Sequence, residues 1–214
     1  MPLLLALFSG TGSIGRAFRA RGWDVFSLDN DPRANATLTA DILQVKASDL
    51  PRPDVVWASP PCTMMTLAGG RRTEGDLEAS DALVKKTLQL IEELGGLPSF
   101  IENPFSGRLK SRGLLEHLTM QVCDYCTYGY PYRKRTAIWT KNADWVPSKP
   151  LCKHDCHASI DGRRHAEYAQ RGPPGQRFTQ QQLYSIPPDL CGELASFCDE
   201  LWHPSEQSGT NASL

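Results

Sequence analysis

The segment LLLALFSGTGSIGRAFRARG, residues 3–22, joins an apolar run of strand length to a glycine-rich turn and a helical stretch. Leu3–Phe8 has the continuous apolar character of a buried strand, and Gly22 is typical of the residue that ends a helix. Glycines between the two elements allow a ligand to approach the backbone closely. This order predicts the first unit of an α/β domain, with a ligand site at the turn.

Short apolar segments and helical patterns continue to alternate after this unit. We predict further strands at residues 23–28, 38–40, 54–58, 99–101, 121–125 and 137–140. Residues 76–94 and 187–202 carry apolar side chains at helical spacing. The alternation predicts an open, mostly parallel sheet with helices on both faces.

The chain divides into four predicted regions. We expect a catalytic domain at 1–142, a small lobe at 143–178, a helix that packs back on the catalytic domain at 179–203 and a disordered tail at 204–214. The lobe is rich in Pro, Gly, Cys, His and Arg and has little periodicity, which is typical of loops.

Composition limits the class of protein. The 214 residues include 23 basic and 24 acidic side chains, so any nucleic-acid surface must come from local basic patches. No apolar run approaches the roughly 20 residues needed to cross a bilayer. Seven cysteines, an odd number, favour free thiols or a metal site in a reducing compartment. We expect an intracellular monomer, bacterial or viral, without a targeting segment or membrane contact.

A cysteine follows the predicted strand at 54–58, within the segment VVWASPPC at 55–62. The two prolines fix the backbone and remove two donors, so they hold the Cys62 thiol still at a strand end. Open parallel sheets keep their chemistry at that edge, and a positioned thiolate is a nucleophile. An inert buried thiol is the alternative, but Glu102 at the end of the neighbouring strand favours the nucleophile.

Two carboxylates also follow predicted strands. Asp29 lies about twenty residues after the glycines, where an acid can accept both ribose hydroxyls. Asp41 follows the third strand, where it could accept a hydrogen bond from an adenine amino group. A helix cap or a solvated turn is the ordinary alternative for each. Because the glycine spacing departs from that of a dinucleotide site, an adenosyl ligand without a pyrophosphate fits better.

Four motifs, in order, resemble those of the cytosine carbon-5 DNA methyltransferases. They are FSGTG at 8–12, PPC at 60–62, ENP at 102–104, and YGYP followed by RKR at 128–135. The resemblance covers residues 3–140 and implies the Rossmann-like fold of methyltransferases that use S-adenosylmethionine. The chain departs from the family at Thr63 and Tyr132, where glutamine is usual, and has a much reduced recognition region.

The resemblance implies methyl transfer from S-adenosylmethionine to carbon 5 of a flipped cytosine in double-stranded DNA. Cys62 would add to carbon 6, and Glu102, kept protonated by burial, would neutralise ring N3. Asn103 would hold that carboxyl or the cytosine edge. Arg133 and Arg135 would bind the base O2, orient Glu102 or touch phosphate, whereas Lys134 is expected in a solvated turn. The cofactor-binding residues that it implies are Phe8, Gly10, Thr11, Gly12, Asp29, Asn30, Asp41, Ile42 and Pro60.

Basic residues lie in two segments near this predicted site. Arg71 and Arg72 follow paired glycines, which suits a mobile loop that meets phosphates, although an ordinary exposed loop is the alternative. Arg163 and Arg164 give the small lobe a basic surface. With so short a recognition segment, we expect a dinucleotide target or relaxed specificity.

Cysteine and histidine residues recur between 123 and 165 at spacings found in zinc sites. If the strand at 121–125 continues, Cys123 and Cys126 face opposite ways, so at most one of them reaches such a site. The preferred structural zinc set is Cys126, Cys152, Cys156 and His165, with His157 as the alternative to the last. Scattered thiols and surface histidines are the competing interpretation.

Two other functions stay open. An RNA methyltransferase acting on transfer RNA would use the same chemistry, and a nucleic-acid-binding module could have lost catalysis. Intact Cys62 and Glu102 argue against the inactive module. Methylation of an amino group is less favoured, because that chemistry prefers an aromatic residue after Pro-Pro.

Overall fold

One sheet forms the centre of the molecule, and the computed structural model describes residues 1–62, 73–169 and 177–203. The strands are β1 (Leu3–Leu7), β2 (Asp24–Asp29), β3 (Leu38–Thr39), β4 (Val55–Ala58), β5 (Ser99–Pro104), β6 (Thr119–Asp124) and β7 (Arg135–Lys141). The α-helices of these ranges are α1 (Ser13–Arg19), α2 (Glu74–Glu93), α3 (Gln180–Tyr184) and α4 (Pro188–Trp202).

The strand order is β3-β2-β1-β4-β5-β7-β6. The first five strands pair in parallel, and β7 pairs antiparallel with both β5 and β6. The predicted open, mostly parallel sheet is therefore confirmed. Its strand order reverses between β1 and β4, and open α/β sheets bind their ligands at such a point, beyond the carboxyl ends of the strands.

The apolar runs form strands because both faces of the sheet are covered. Along β1, Leu4 and Ala6 pack in a cluster with α1 and α4, whereas Leu5 and Leu7 pack in a second cluster with α2. Each of these four side chains is at most 1% exposed. The helices therefore bury the sheet on both sides and leave its carboxyl edge as the place for a site.

Several element boundaries differ from the sequence prediction. The strand predicted at 99–101 continues to Pro104, because β7 pairs with it as far as Thr136. The strand predicted at 121–125 ends at Asp124, where a 3-10 turn, Tyr125–Tyr128, begins. Helix α1 spans Ser13–Arg19, and the single helix predicted at 179–203 is divided into α3 and α4.

The described part of the small lobe, 143–169, contains isolated bridges in place of helices and named strands. The predicted tail at 204–214 lies outside the described residues. Within the ranges that the structure covers, no helix combines the length and apolar character needed to span a membrane.

Candidate active site

The glycine turn after β1 adopts a backbone that other residues rarely adopt. Gly10 and Gly12 have φ angles of +47° and +69°, and Gly12 immediately precedes the first turn of α1. An L side chain at either position would be strained. The backbone N–H of Gly10 donates to Oδ2 of Asp29 at 2.8 Å. The turn is thereby attached to the end of β2.

Asp29 is buried at the carboxyl end of β2 and is already partly hydrogen-bonded. Besides Gly10, it accepts at Oδ1 from the backbone N–H of Asp31 at 2.9 Å. An ionised carboxylate has about four acceptor positions, so capacity for ribose hydroxyls is left. Asp41 instead caps the 3-10 turn Ile42–Gln44 and accepts a hydrogen bond from Leu43 N–H at 3.0 Å. This is the helix-cap role given above as the alternative to adenine binding. Ile42 is buried, whereas the side chain of Asp41 is exposed.

The groups at this edge fit an adenosyl ligand. The buried Oγ of Ser9 has no hydrogen-bond partner among the described residues, so a polar group can still pair with it. Left-handed glycines leave the backbone open beside it, and Asp29 offers acceptor oxygens. The remaining predicted contacts, Phe8, Thr11, Asn30 and Pro60, lie in the turn or at the ends of β2 and β4.

Cys62 is half-buried four residues beyond the end of β4. Burial raises the pKa of its thiol, the positive charge of Lys134 lowers it, and the negative charge of Glu102 raises it. The thiol therefore lies within electrostatic reach of an acid on β5 and of a base just before β7. The positive charge of Lys134 favours the thiolate that a nucleophile needs, and the negative charge of Glu102 opposes it.

Glu102 and Asn103 project from the carboxyl end of β5, and both are buried. The Asn103 Nδ2 donates to the carbonyl oxygen of Pro60 at 2.9 Å, which ties β5 to the loop that carries Cys62. Oδ1 of Asn103 is buried and unpaired within the described ranges. The hydroxyl of Tyr125 donates to Oε1 of Glu102 at 3.3 Å. Sequence reasoning missed Tyr125, because its position depends on the turn after β6.

The basic block before β7 differs from the prediction. Arg135 forms a two-point salt bridge with Asp124 and does not orient Glu102. Nη1 of Arg133 lies 3.4 Å from Nε2 of His154, in the small lobe. Lys134 was expected in a solvated turn, but its Nζ lies 4.9 Å from the Tyr125 ring centroid and donates to the Leu183 carbonyl oxygen at 3.1 Å. Successive side chains of extended backbone alternate in direction, so the lysine faces the site and the arginines face the lobe.

Four of the predicted metal ligands come together in the lobe. The ligand atoms of Cys126, Cys152, Cys156 and His165 all lie within 4.8 Å of one another. His157 is exposed and is not part of this cluster. Cys123 instead packs in the core beneath the sheet, where burial raises the pKa of its thiol to about 12. The two cysteines separate because the chain leaves β6 between them.

Arg163 and Arg164 occupy the tip of a short hairpin in the lobe. Gly162 turns the chain with φ +69°, and Oδ1 of Asp161 accepts from the N–H groups of both arginines at 3.0 and 2.9 Å. Both arginines line a cleft of about 220 Å³ together with Arg133. Three guanidinium groups around one cleft can bind an anion. Arg71 and Arg72 lie outside the described residues.

Two curated proteins are similar to this chain over most of its length. No protein-family model matches the chain. A probable DNA (cytosine-5)-methyltransferase of Frog virus 3 (isolate Goorha) is 32% identical over 220 residues, which cover 91% of this chain and 99% of that protein. Type II methyltransferase M2.BsuMI of Bacillus subtilis (strain 168) is 28% identical over 95% of this chain and 60% of that protein.

Two solved structures share the fold. The Entamoeba histolytica methyltransferase EhMeth has a TM-score of 0.58 at 12% identity, over 94% of this chain and 99% of that one. A putative DNA modification methyltransferase encoded within an Escherichia coli prophage has a TM-score of 0.51 at 18% identity, over 66% and 46% of the two chains. Because the Frog virus 3 protein is 32% identical over almost the full length of both chains, this chain belongs to the DNA (cytosine-5)-methyltransferase family.

Proposed function

We propose that this enzyme methylates carbon 5 of cytosine in double-stranded DNA through a covalent adduct between Cys62 and carbon 6 of a flipped base. The observation that carries the proposal is the link between β4 and β5. The Asn103–Pro60 hydrogen bond places the loop of Cys62 beside the buried carboxyl of Glu102. A nucleophile and a proton donor are thereby offered to opposite parts of one ring.

The family implies that S-adenosylmethionine is the methyl donor, which supplies an electrophilic methyl group on a sulfonium centre. Gly10 and Gly12 would admit it, Ser9 would pair with one of its polar groups, and Asp29 would accept its ribose hydroxyls. The buried Ile42 would contact the adenine ring. These residues orient the donor at the point where the strand order reverses.

The proposed chemistry conserves atoms and charge. The Cys62 thiolate forms a bond to carbon 6 of cytosine, and the displaced electron pair reaches N3, which takes a proton from Glu102. Carbon 5 is then nucleophilic and would take the methyl group as the carbon–sulfur bond of the donor breaks, with the electron pair of that bond left on sulfur as a neutral thioether. A base removes the proton from carbon 5, the bond to Cys62 breaks, and N3 returns its proton. The Glu102 carboxyl that would supply this proton is buried and accepts a hydrogen bond from the Tyr125 hydroxyl.

Lys134 supplies the positive charge that the arginines do not bring to Cys62. Its charge favours the thiolate against the effect of burial, and its Nζ is held by the Leu183 carbonyl oxygen and the Tyr125 ring. We assign it as a positioning residue that stabilises the reactive form of Cys62. Arg133 contacts the lobe at His154, and Arg135 is linked to the lobe through Asp124.

The lobe would bind the DNA backbone. Its cleft is lined by Arg133, Arg163 and Arg164, and guanidinium groups pair well with phosphates. Because the predicted recognition segment is short, we expect a dinucleotide target or relaxed specificity. We expect the enzyme to act on intracellular DNA as a monomer.

Trapping on DNA that contains 5-fluorocytosine tests this function, because fluorine cannot leave carbon 5 as a proton does. We expect a covalent protein–DNA adduct that is stable to denaturation. Cys62→Ala should form no adduct and should lose at least ~10³-fold in activity while still binding S-adenosylmethionine. Cys198→Ala is the matched control. Full activity of Cys62→Ala would contradict the thiol mechanism.

Substrate choice is tested with the same preparation. Duplex DNA and transfer RNA are offered at equal concentration with labelled methyl donor, and bisulfite sequencing of treated plasmid gives the target. Transfer to DNA at many short sites is expected. Labelling of transfer RNA alone would assign the enzyme to RNA, and a long unique DNA motif would contradict the short target.

A further inference from the structure

We infer that Cys126, Cys152, Cys156 and His165 bind one zinc ion, which holds the small lobe on the catalytic sheet. The ligands come from three separate segments. Cys126 lies in the 3-10 turn after β6, Cys152 and Cys156 in the loop of the lobe, and His165 on the returning limb of its hairpin. An ion at this point would join all three segments.

The distances between the ligand atoms suit a tetrahedral zinc ion. Nε2 of His165 lies 3.4 Å from Sγ of Cys152 and 3.3 Å from Sγ of Cys156. Zinc–sulfur bonds of about 2.3 Å and zinc–nitrogen bonds of about 2.0 Å at tetrahedral angles separate such atoms by roughly 3.5 Å. All four ligand atoms lie within 4.8 Å of one another.

The chemistry of the four side chains also favours zinc. Three thiols and one imidazole form the Cys₃His set of structural zinc sites. Cys126, Cys152 and His165 are at most 5% exposed, and all three cysteines are free of disulfides. The backbone N–H of His154 donates to Sγ of Cys152 at 3.3 Å, as outer-shell groups do to metal-bound thiolates.

The described part of the lobe has almost no other core. Its own hydrophobic cluster consists of Cys126, Cys152 and Ala158, with Cys156 packed against them. Val146, Leu151, Ile160 and Tyr168 are exposed, and the buried Trp145 packs in the core of the sheet instead of in this cluster. A lobe that buries so little apolar surface needs another source of stability, and a structural metal supplies it.

Two contacts connect the cluster with the rest of the molecule. Oδ2 of Asp124 accepts from the backbone N–H of Cys152 at 3.0 Å and from Arg135, which begins β7. On the other side, Ala166 N–H donates to the Ala158 carbonyl oxygen at 2.9 Å, so His165 lies at the base of the arginine hairpin. The ion would therefore set the position of the basic cleft relative to the sheet. This last consequence rests on the proposed function.

Metal analysis of the full chain tests the site without reference to activity. The protein is purified in zinc-free buffer after zinc loading, and we expect about one zinc per chain. Cys156→Ser should hold less than about a tenth of that, whereas Cys198→Ala should hold as much as the unaltered chain. His165→Cys should also retain zinc, because four thiolates form an equally good set.

Substitution of cobalt(II) for zinc reports the coordination geometry of the site. A tetrahedral cobalt–thiolate spectrum is expected for the unaltered chain and for Cys198→Ala. A folded chain that holds only traces of zinc after loading would overturn the inference, as would equal zinc contents in Cys156→Ser and Cys198→Ala. Since none of these readouts depends on methyl transfer, they separate the metal site from the proposed function.

Removal of zinc with a chelator tests its role in the lobe. DNA affinity should fall about tenfold or more, through loss of phosphate contacts, while S-adenosylmethionine affinity stays within about twofold. Restoring zinc should restore DNA binding. An equal loss of both affinities would contradict a role confined to the lobe.

Discussion

The Arg135 guanidinium binds the Asp124 carboxylate at two points, with Nε–Oδ1 at 2.9 Å and Nη2–Oδ2 at 2.7 Å. Asp124 has no exposed surface, whereas 34% of the Arg135 side chain is exposed. The same carboxylate accepts from the backbone N–H of Cys152. One buried acid therefore joins β6, β7 and the small lobe.

Asp124→Ala should destabilise the protein by about 3 kcal/mol, because it leaves Arg135 and the Cys152 N–H without their buried acceptor. Urea unfolding measures the change. Arg33→Ala is the control, since its pair with Asp31 is exposed and its loss should leave stability almost unchanged. A similar small change for Asp124→Ala would contradict the role of this acid.

Lys134→Met should shift the pH profile of the chemical step to higher pH. Burial raises the pKa of Cys62, so activity rises with pH as the thiolate forms. The Lys134 charge lowers that pKa, and its removal therefore raises it. Single-turnover rates should fall several-fold near neutral pH and recover in alkaline buffer.

Lys134→Arg should stay close to the unaltered profile, because it keeps the charge. The exposed Lys149 provides a control variant, Lys149→Met, for which no shift is expected. A rate loss in Lys134→Met that is equal at every pH would show a purely structural role.

Tyr125→Phe should lower kcat about tenfold without changing the S-adenosylmethionine KM. Burial raises the pKa of Tyr125 well above its ordinary value, so the phenol stays protonated and donates to Glu102. The change removes this one donor and keeps the ring that packs against Lys134. Single-turnover and steady-state kinetics measure the effect.

Tyr128→Phe is the matched control for Tyr125→Phe, because the buried Tyr128 hydroxyl donates to Glu193, away from Cys62. Equal kcat losses in the two variants would refute the positioning role of Tyr125. Glu102→Gln should lose ~10²-fold or more, since it cannot give up a proton.

Arg163→Ala combined with Arg164→Ala should weaken DNA binding and make it less dependent on salt. Each phosphate contact contributes about 0.9 to the slope of log affinity against log salt, so the slope should fall by about 1.8. Fluorescence anisotropy over a range of salt concentrations measures it. Arg52→Ala, at an exposed position before β4, should leave the slope unchanged. An unaltered salt dependence in the double variant would show that this cleft does not contact DNA.

Asp29→Ala should weaken S-adenosylmethionine binding by about 10- to 100-fold. The change removes the proposed ribose acceptor and also the acceptor that holds the Gly10 N–H. Calorimetric titration gives the affinity. Asp24→Ala, at the exposed opposite end of the same strand, should bind normally. Normal S-adenosylmethionine affinity in Asp29→Ala would show that Asp29 does not bind the ribose.

Much of the sheet was predictable, because parallel strands covered on both faces are continuous apolar runs. Val55–Ala58 and Leu3–Leu7 are such runs, and both form strands. The extension of β5 through Glu102 was not predictable from its polar residues. Pairing with β7, over thirty residues away in sequence, keeps this segment extended.

The basic block shows the main limit on predicting the site. Sequence motifs assigned Arg133 and Arg135 to the base, but in extended backbone a shift of one residue reverses every side chain. The onset of β7 directs Lys134 to Cys62 and Arg135 to Asp124. The buried partner of Arg135, Asp124, lies on a different strand, so no local sequence pattern predicts these side-chain directions.

The sequence by itself determined the order of elements, the family and the chemical types at the strand ends, because these follow from local patterns and ordered motifs. It also indicated that Cys123 and Cys126 separate. Only the tertiary structure decided that Tyr125 meets Glu102, that Asn103 meets Pro60, and that His165 instead of His157 joins the three predicted cysteines. Such contacts join residues distant in sequence, so they depend on strand register and packing, which act only once the chain has folded.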